Sequence, residues 1–483
     1  MKFDRAFLTV AAIAIAARFV FIFVFPETGG DWDVYGAVAQ NILRGCGVSL
    51  SNPAGAECVP HFGGNHLPGY PAFVAAVWAL SAHSDMAIRV AQALLYALAL
   101  LRLMTVVEHR TACRSIAVGA GLVLALSPLD VAWPRYLQTE TLALATAIWF
   151  FAEIVASIDQ RRLRVVPLGL SIVAATFIRL DGIFLCVPVA VAAFYLHSPT
   201  EALRRGTVTA AIVVASLAAW TVRNVAVGLP SLLPIGMVIP NGAPTPYGYL
   251  KWGSTWITEE YQRMGWAWPV NHMTYGTIKI DNKAFDNPQE KARVAALLAQ
   301  LTQSEGKPFP AELDAQFAEL AKERAGRAPL RTYLVLPAMR ALALFENPFS
   351  SFGWPNEMID GSISDQARLD ASRSPSRLFD LALAYPGRAA SKALNGGYRY
   401  LLFAAMAFVI ALAMGRRLPQ SAPLIWIITA WVVARTVFFA VTNNVETRYT
   451  APTVPALELA VVVGLSEFVS RRRKPGVTAP SSS

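Results

Sequence analysis

Two carboxylates two residues apart, Asp31 and Asp33, stand in the stretch Gly29-Gly30-Asp31-Trp32-Asp33-Val34-Tyr35, directly after a long apolar run. At the mouth of a helix bundle such a pair can act as a general base or hold a cation. It can also cap the helix that AVAQNILRG forms. Four more polar places recur at the edges of apolar runs: His66 in Asn-His-Leu-Pro-Gly-Tyr-Pro, Arg135 and Glu140 within Trp-Pro-Arg-Tyr-Leu-Gln-Thr-Glu, Arg179 and Asp181 in Arg-Leu-Asp-Gly, and Arg448 in Glu-Thr-Arg-Tyr. Each has a structural account of its own. Glu140 suits a helix N-terminus, Arg179 and Asp181 can pair locally, and Arg448 can anchor to headgroups. Gathered on one membrane face, however, they are what transfer from a lipid-phosphate donor requires. Arginines neutralise a phosphate leaving group, and a carboxylate takes the proton of an acceptor hydroxyl.

The elements that bring these residues together are apolar. Of 483 residues, 55% are hydrophobic and 15% charged, with 42 Lys and Arg against 32 Asp and Glu, a net charge of +10. An ordinary soluble enzyme carries about 25% charged residues, so this composition excludes one. Apolar runs cover residues 7–25, 86–107, 115–133, 139–157, 165–178, 182–196, 207–227, 400–414, 423–441 and 451–469. They predict an all-α polytopic membrane protein with about ten transmembrane helices. The first run lacks a small-residue cleavage site and reads as a retained helix.

Arginines cluster in short breaks at 110–114, 161–164, 204–205, 416–417 and 471–474. Under the positive-inside rule these clusters are cytoplasmic, which puts both termini inside and the polar motifs outside. No run of basic residues interleaved with aromatics points to nucleic acid. Four domains follow: an N-terminal membrane region 1–227 whose outer loop 26–85 carries the acidic motif, an outer polar and interfacial region 228–397, a C-terminal membrane region 398–470, and a basic tail 471–483. In the polar region, 287–324 reads as two amphipathic helices broken at 306–310, while the Trp-rich first half reads as loop. Segment 330–345 carries Arg331 and Arg340 and is expected at the interface. Cys46 and Cys58 share one short loop outside the cytoplasm and are expected to form a disulfide. No Cys or His spacing suggests a structural metal.

The motifs resemble the GT-C superfamily of polytopic glycosyltransferases, in particular the branch of the protein mannosyltransferases, the lipid A aminoarabinose transferases and the rhizobial galacturonosyltransferases. The resemblance rests on Arg18 inside the first run, Asp31 four residues before Tyr35, His66-Leu67-Pro68-Gly69-Tyr70-Pro71, Thr139-Glu140, Arg179-Leu180-Asp181-Gly182, and Arg448-Tyr449 followed by Pro452. It implies a GT-C-like fold with an outward-facing, mainly helical polar region. It also implies that Asp31 is the catalytic base, although Trp32 stands where the family has a second acid, which keeps Asp33 as an alternative. His66, Arg179 and Arg448 would face the donor phosphate. Arg18, Tyr35, Arg135, Glu140 and Asp181 would support them. A divalent cation at Asp31 is left open.

The expected activity is an inverting transfer of a sugar from a polyprenyl-phosphate donor to a glycan, lipid or protein acceptor, at the outer surface of the inner membrane. Membrane lipids are the other expected partners. A secondary transporter or lipid flippase is the alternative, and it requires ionisable residues near helix centres. A non-catalytic assembly factor would leave the outward acids without a task.

Overall fold

The computed structural model describes residues 4–51, 58–61, 67–229, 243–346, 353–364, 367, 371 and 374–472. Helix α1 (Arg5–Val24) is followed by a short α2 (Trp32–Leu43), an antiparallel hairpin of β1 (Ser49–Ser51) and β2 (Cys58–Pro60), and α3 (Gly69–Ser81). The N-terminal bundle continues with α4 (Asp85–Thr111), α5 (Arg114–Ala125), α6 (Glu140–Asp159), α7 (Val165–Ile178), α8 (Cys186–Leu196) and α9 (Pro199–Ala226). A polar domain contains α10 (Tyr247–Gly253), α11 (Glu260–Asn271), α12 (Pro288–Thr302) and α13 (Ala311–Arg327). A π-turn at Arg331–Val335 leads into α14 (Leu336–Phe345). Then come α15 (Asn356–Asp360), α16 (Pro375–Ala384), α17 (Pro386–Met414), α18 (Ala422–Val441) and α19 (Val454–Arg472).

Each of the ten apolar runs forms a helix, since backbone removed from water must satisfy its own N–H and C=O groups. Among the described residues, seven helical stretches are long and apolar enough to cross a membrane: α1, α4, α6, α9, α17, α18 and the stretch Thr447–Arg472 that contains α19. The chain is a multi-pass membrane protein. The other three runs, in α5, α7 and α8, give shorter apolar helices. The run expected at 115–133 stops being helical after Ala125, because Pro128 disfavours helical backbone at Ser127. The turn that follows carries Asp130 into the bundle. There its carboxylate meets Arg18 at 2.9 Å, both fully buried, and accepts from Tyr96 Oη at 2.7 Å. Helix α6 is buried along nearly its whole length, with α4 packed beside it.

The Trp-rich half of the polar domain, expected as loop, contains α10 and α11. Its aromatics explain why: Tyr249, Trp252, Trp256 and Trp266 are buried around Phe317 of α13, with Tyr249 stacked on Trp266 at 4.7 Å. Burying large aromatic surface outweighs the local Gly and Pro signals. The amphipathic pair α12 and α13 lies where its pattern predicts, on either side of 306–310. In segment 330–345, Arg340 is buried and donates to the carbonyls of Ile257 (2.7 Å), Ala440 (3.1 Å) and Ser254. It ties the polar domain to α18, while Tyr333, Leu334 and Leu342 leave an apolar face exposed.

Helix α17 runs without a break through Asn395-Gly396-Gly397, across the boundary expected at 398. In that stretch Ser391 Oγ donates to Asn356 Oδ1 (2.6 Å) and Asn395 Nδ2 to the Ser391 carbonyl (2.7 Å). Cys46 and Cys58 are joined by a disulfide that closes the loop around the hairpin. Helix α19 reaches Arg472, and the rest of the basic tail lies outside the described residues.

Candidate active site

Five parts of the chain meet at one end of the bundle: the start of α2, the start of α6, the end of α7 with the 3-10 turn Leu180–Leu185, the second half of α18, and the 3-10 turn Thr447–Thr453. Two glycines permit the approach. A Cβ on Gly69, at the start of α3, would lie 2.5 Å from the Phe177 carbonyl oxygen in the last turn of α7. One on Gly182 would lie 2.3 Å from the Ala175 carbonyl carbon. Both positions therefore exclude a side chain, and the second sets the direction of Arg179 and Asp181 just before it.

The resulting charges form two linked groups. In the first, Arg448 Nη1 donates to Asp31 Oδ2 (2.9 Å) and Arg448 Nε to Glu446 Oε2 (2.7 Å). Glu446 Oε1 accepts from Arg263 Nε of α11 (3.2 Å), and Thr447 Oγ1 donates to Glu260 Oε2 (2.8 Å). In the second, Arg179 Nη1 donates to Glu140 Oε1 (2.8 Å), and its Nε lies 3.3 Å from Asp181 Oδ1. Asp181 Oδ2 also accepts from Arg435 Nη2 (2.6 Å). The Tyr449 ring joins the two groups: Arg179 lies 5.2 Å and Arg448 5.6 Å from its centroid, and Phe439 stacks on it at 4.6 Å.

Exposure separates the groups. The side chains of Arg179 and Glu140 are 9% and 2% exposed, those of Arg448 and Asp31 27% and 19%. The second group is a closed, mutually neutralised set. In the first, the Asp31–Arg448 pair is partly exposed.

Other expected residues fall as follows. Tyr35 is buried edge-on to Tyr70 at 4.9 Å; burial, and then the Asp31 and Glu140 carboxylates, push its phenol far above the ordinary value. Trp32 turns into an apolar cluster against Trp78. Asp33 sits exposed in the first turn of α2 and makes no ion pair among the described residues. Arg135 is not in the charge cluster: it donates to the carbonyls of Gly353 (2.7 Å) and Phe25 (2.9 Å). Arg18 belongs with Asp130 inside the bundle, away from the Asp31 group. His66 lies outside the described residues.

Sequence reasoning missed Arg435, Asp130, Glu260 and Arg263. Arg435 had a usable signal, since a lone arginine inside an apolar run calls for a partner. The two residues of α11 had none, because that segment reads as loop.

Burial alone would raise the Glu446 carboxyl, but the guanidiniums of Arg448 and Arg263 overcome it and hold the group below the usual glutamate value. Burial, with a smaller push from Glu446, raises the Glu260 carboxyl despite the Thr447 donors. Among the described residues no group of three or more His, Cys, Asp or Glu side chains is placed to hold a metal ion.

A cavity of about 980 Å³ opens beside Gly29 and Gly30, which precede Asp31 in the chain. Its wall is mixed: Leu378 and Leu381 of α16 are apolar, while Arg135, Tyr136 and Arg388 are polar.

No protein-family model matches the chain, and no curated protein does. Its path is similar to that of ArnT from Cupriavidus metallidurans bound to undecaprenyl phosphate, at 14% identity and a TM-score of 0.39, covering 94% of this chain and 77% of that one. It is also similar to the archaeal oligosaccharyltransferase AglB from Archaeoglobus fulgidus in complex with an inhibitory peptide and a dolichol-phosphate, at 12% identity and a TM-score of 0.45. There the match covers 99% of this chain and 52% of the other, so this chain spans about half the length of the archaeal protein. Likenesses at this level say nothing of what this chain binds.

Proposed function

We propose that the chain is a GT-C type glycosyltransferase that moves a sugar from a polyprenyl-phosphate donor to a glycan, lipid or protein acceptor, with inversion, at the outer face of the inner membrane. The observation that carries this reading is the half-open ion pair of Asp31 and Arg448 at the end of an apolar bundle. A donor phosphodiester arriving from the lipid side competes with Asp31 for the Arg448 guanidinium, because its two unesterified oxygens share one charge and match the guanidinium fork. Its binding releases the Asp31 carboxylate. Asp31 then takes the proton of the acceptor hydroxyl, the hydroxyl oxygen bonds to the anomeric carbon, and the carbon–oxygen bond to phosphate breaks. The lipid phosphate leaves with its charge on Arg448.

Arg179, closed off by Glu140 and Asp181, orients Tyr449 and through it the Arg448 turn rather than touching phosphate. The amphipathic cavity next to Gly30 suits the head and first units of a lipid carrier. Under the positive-inside rule the arginine-rich breaks support a cytoplasmic opposite end of the bundle.

The test supplies radiolabelled undecaprenyl-phosphate sugars and membrane extract to the purified protein in nanodiscs. Label should pass to an acceptor with the wild type and fall at least about a hundredfold with Arg448→Met. The transporter reading draws on the Arg18, Asp130 and Tyr96 contacts inside the bundle. Uptake into proteoliposomes without covalent transfer would favour it.

A further inference from the structure

Glu446 is shared by two arginines. Its Oε2 accepts from Arg448 and its Oε1 from Arg263, which reaches it from α11 of the polar domain and also donates to the Asn443 carbonyl (3.2 Å). The Glu446 side chain is 8% exposed, so the interactions around it act through little solvent. A buried carboxylate with one arginine as its only partner would absorb most of that arginine's charge. With two, it draws less from each. Two more contacts of α11 hold the same surroundings in place. Its first residue, Glu260, accepts from Thr447 Oγ1 between Glu446 and Arg448. Its Trp268 packs on Gly30, where an added Cβ would lie 3.3 Å from the indole.

We propose that Arg263 is a positioning residue that sets the charge of the active site: by neutralising Glu446 from the polar domain, it leaves Arg448 its positive charge for Asp31 and for an arriving phosphate. This rests on the reading of Arg448 as the donor-phosphate ligand. Without Arg263, Glu446 draws Arg448 to itself, the guanidinium attracts phosphate less, and its hold on Asp31 loosens. Neither Asp31 nor the phosphate touches Arg263, so the effect passes through one carboxylate and disappears with it.

That gives the test. Binding of undecaprenyl monophosphate to the full-length protein in nanodiscs, and hydrogen exchange of residues 29–35 without ligand, are measured for wild type, Arg263→Met, Glu446→Gln and Arg263→Met/Glu446→Gln. Arg263→Met should weaken binding about tenfold, the scale of one charge-assisted contact, and raise exchange in 29–35 severalfold. The double variant should return both to within about threefold of wild type, since no carboxylate is left to compete for Arg448. A double variant as weak as Arg263→Met, or weaker, overturns the proposal, because a merely structural contact is not rescued by removing its second partner. If the wild type binds no polyprenyl phosphate, the donor assignment fails, and the exchange data alone decide whether Arg263 controls the Asp31 segment through Glu446.

Discussion

Asp31→Asn separates catalysis from folding, and the structure sets both magnitudes. Asparagine keeps the shape of the side chain and an oxygen that accepts from Arg448, but it cannot take a proton. The pair it replaces is partly exposed, 19% on Asp31 and 27% on Arg448, so solvent screens it and its loss destabilises by less than about 1 kcal/mol. The melting temperature in detergent should then fall by no more than about 4 °C. Loss of a general base costs about 10²- to 10⁴-fold in rate, or about 2.7 to 5.4 kcal/mol in the barrier. A second consequence follows from the competition for Arg448. With the carboxylate gone, the guanidinium has one rival fewer for phosphate, so the donor KM should fall or hold while kcat drops.

The assay is transfer of radiolabel from a polyprenyl-phosphate sugar in nanodiscs, with Asp33→Asn as comparison. Asp33 is exposed and makes no ion pair among the described residues, so its variant should stay within about threefold of wild type. An Asp31→Asn rate within threefold of wild type, an equal loss in Asp33→Asn, or a raised donor KM would each refute the assignment of Asp31 as base and competitor.

The other predictions concern the frame around that pair. Because Glu446 is held below its ordinary value in the folded protein, its contribution to stability is complete above the unfolded value of about 4.3 and is lost as pH falls through the lower folded value. The Glu446 contribution to thermal stability should therefore be level above about pH 5 and fall in acid, and Glu446→Gln should remove part of the acid decline. Gly182→Ala, which forces a Cβ to 2.3 Å from Ala175, should cost about 1–3 kcal/mol and abolish transfer, whereas Gly119→Ala, with open space around it, should leave both unchanged. Arg18→Met leaves Asp130 buried and unpaired and should destabilise by about 3–5 kcal/mol in thermal unfolding, with part of the loss recovered in Arg18→Met/Asp130→Asn. A maleimide should label neither Cys46 nor Cys58 before reduction. Reduction should lower stability by about 3 kcal/mol, given a sequence separation of 12 residues.

Hydrophobic runs and breaks were readable along the chain because a backbone out of water has one local solution, the helix, and its period is written in adjacent residues. The same holds for the amphipathic pair α12 and α13. Asp31, Glu140, Arg179, Asp181 and Arg448 could be singled out because a charge at the edge of an apolar run stands out without any knowledge of its partner.

The partners were another matter. That Arg448 holds Asp31, 417 positions away in sequence, follows from how helix ends pack. So does the enclosure of Arg179 between two acids. Arg135 lies at the edge of an apolar run like the others and Arg18 inside one, and only packing sent the first to a cavity wall and the second to Asp130. The polar domain was least legible. Its aromatic core holds together residues from several segments, and Arg263 carries no local mark of its task. The sequence by itself determined the elements and the charges available at their ends, since those depend on neighbours in the chain. The tertiary structure decided which charges neutralise one another in the interior and which pairs stay partly exposed, because Coulomb energy depends on distance and burial, and both are set by contacts between distant segments.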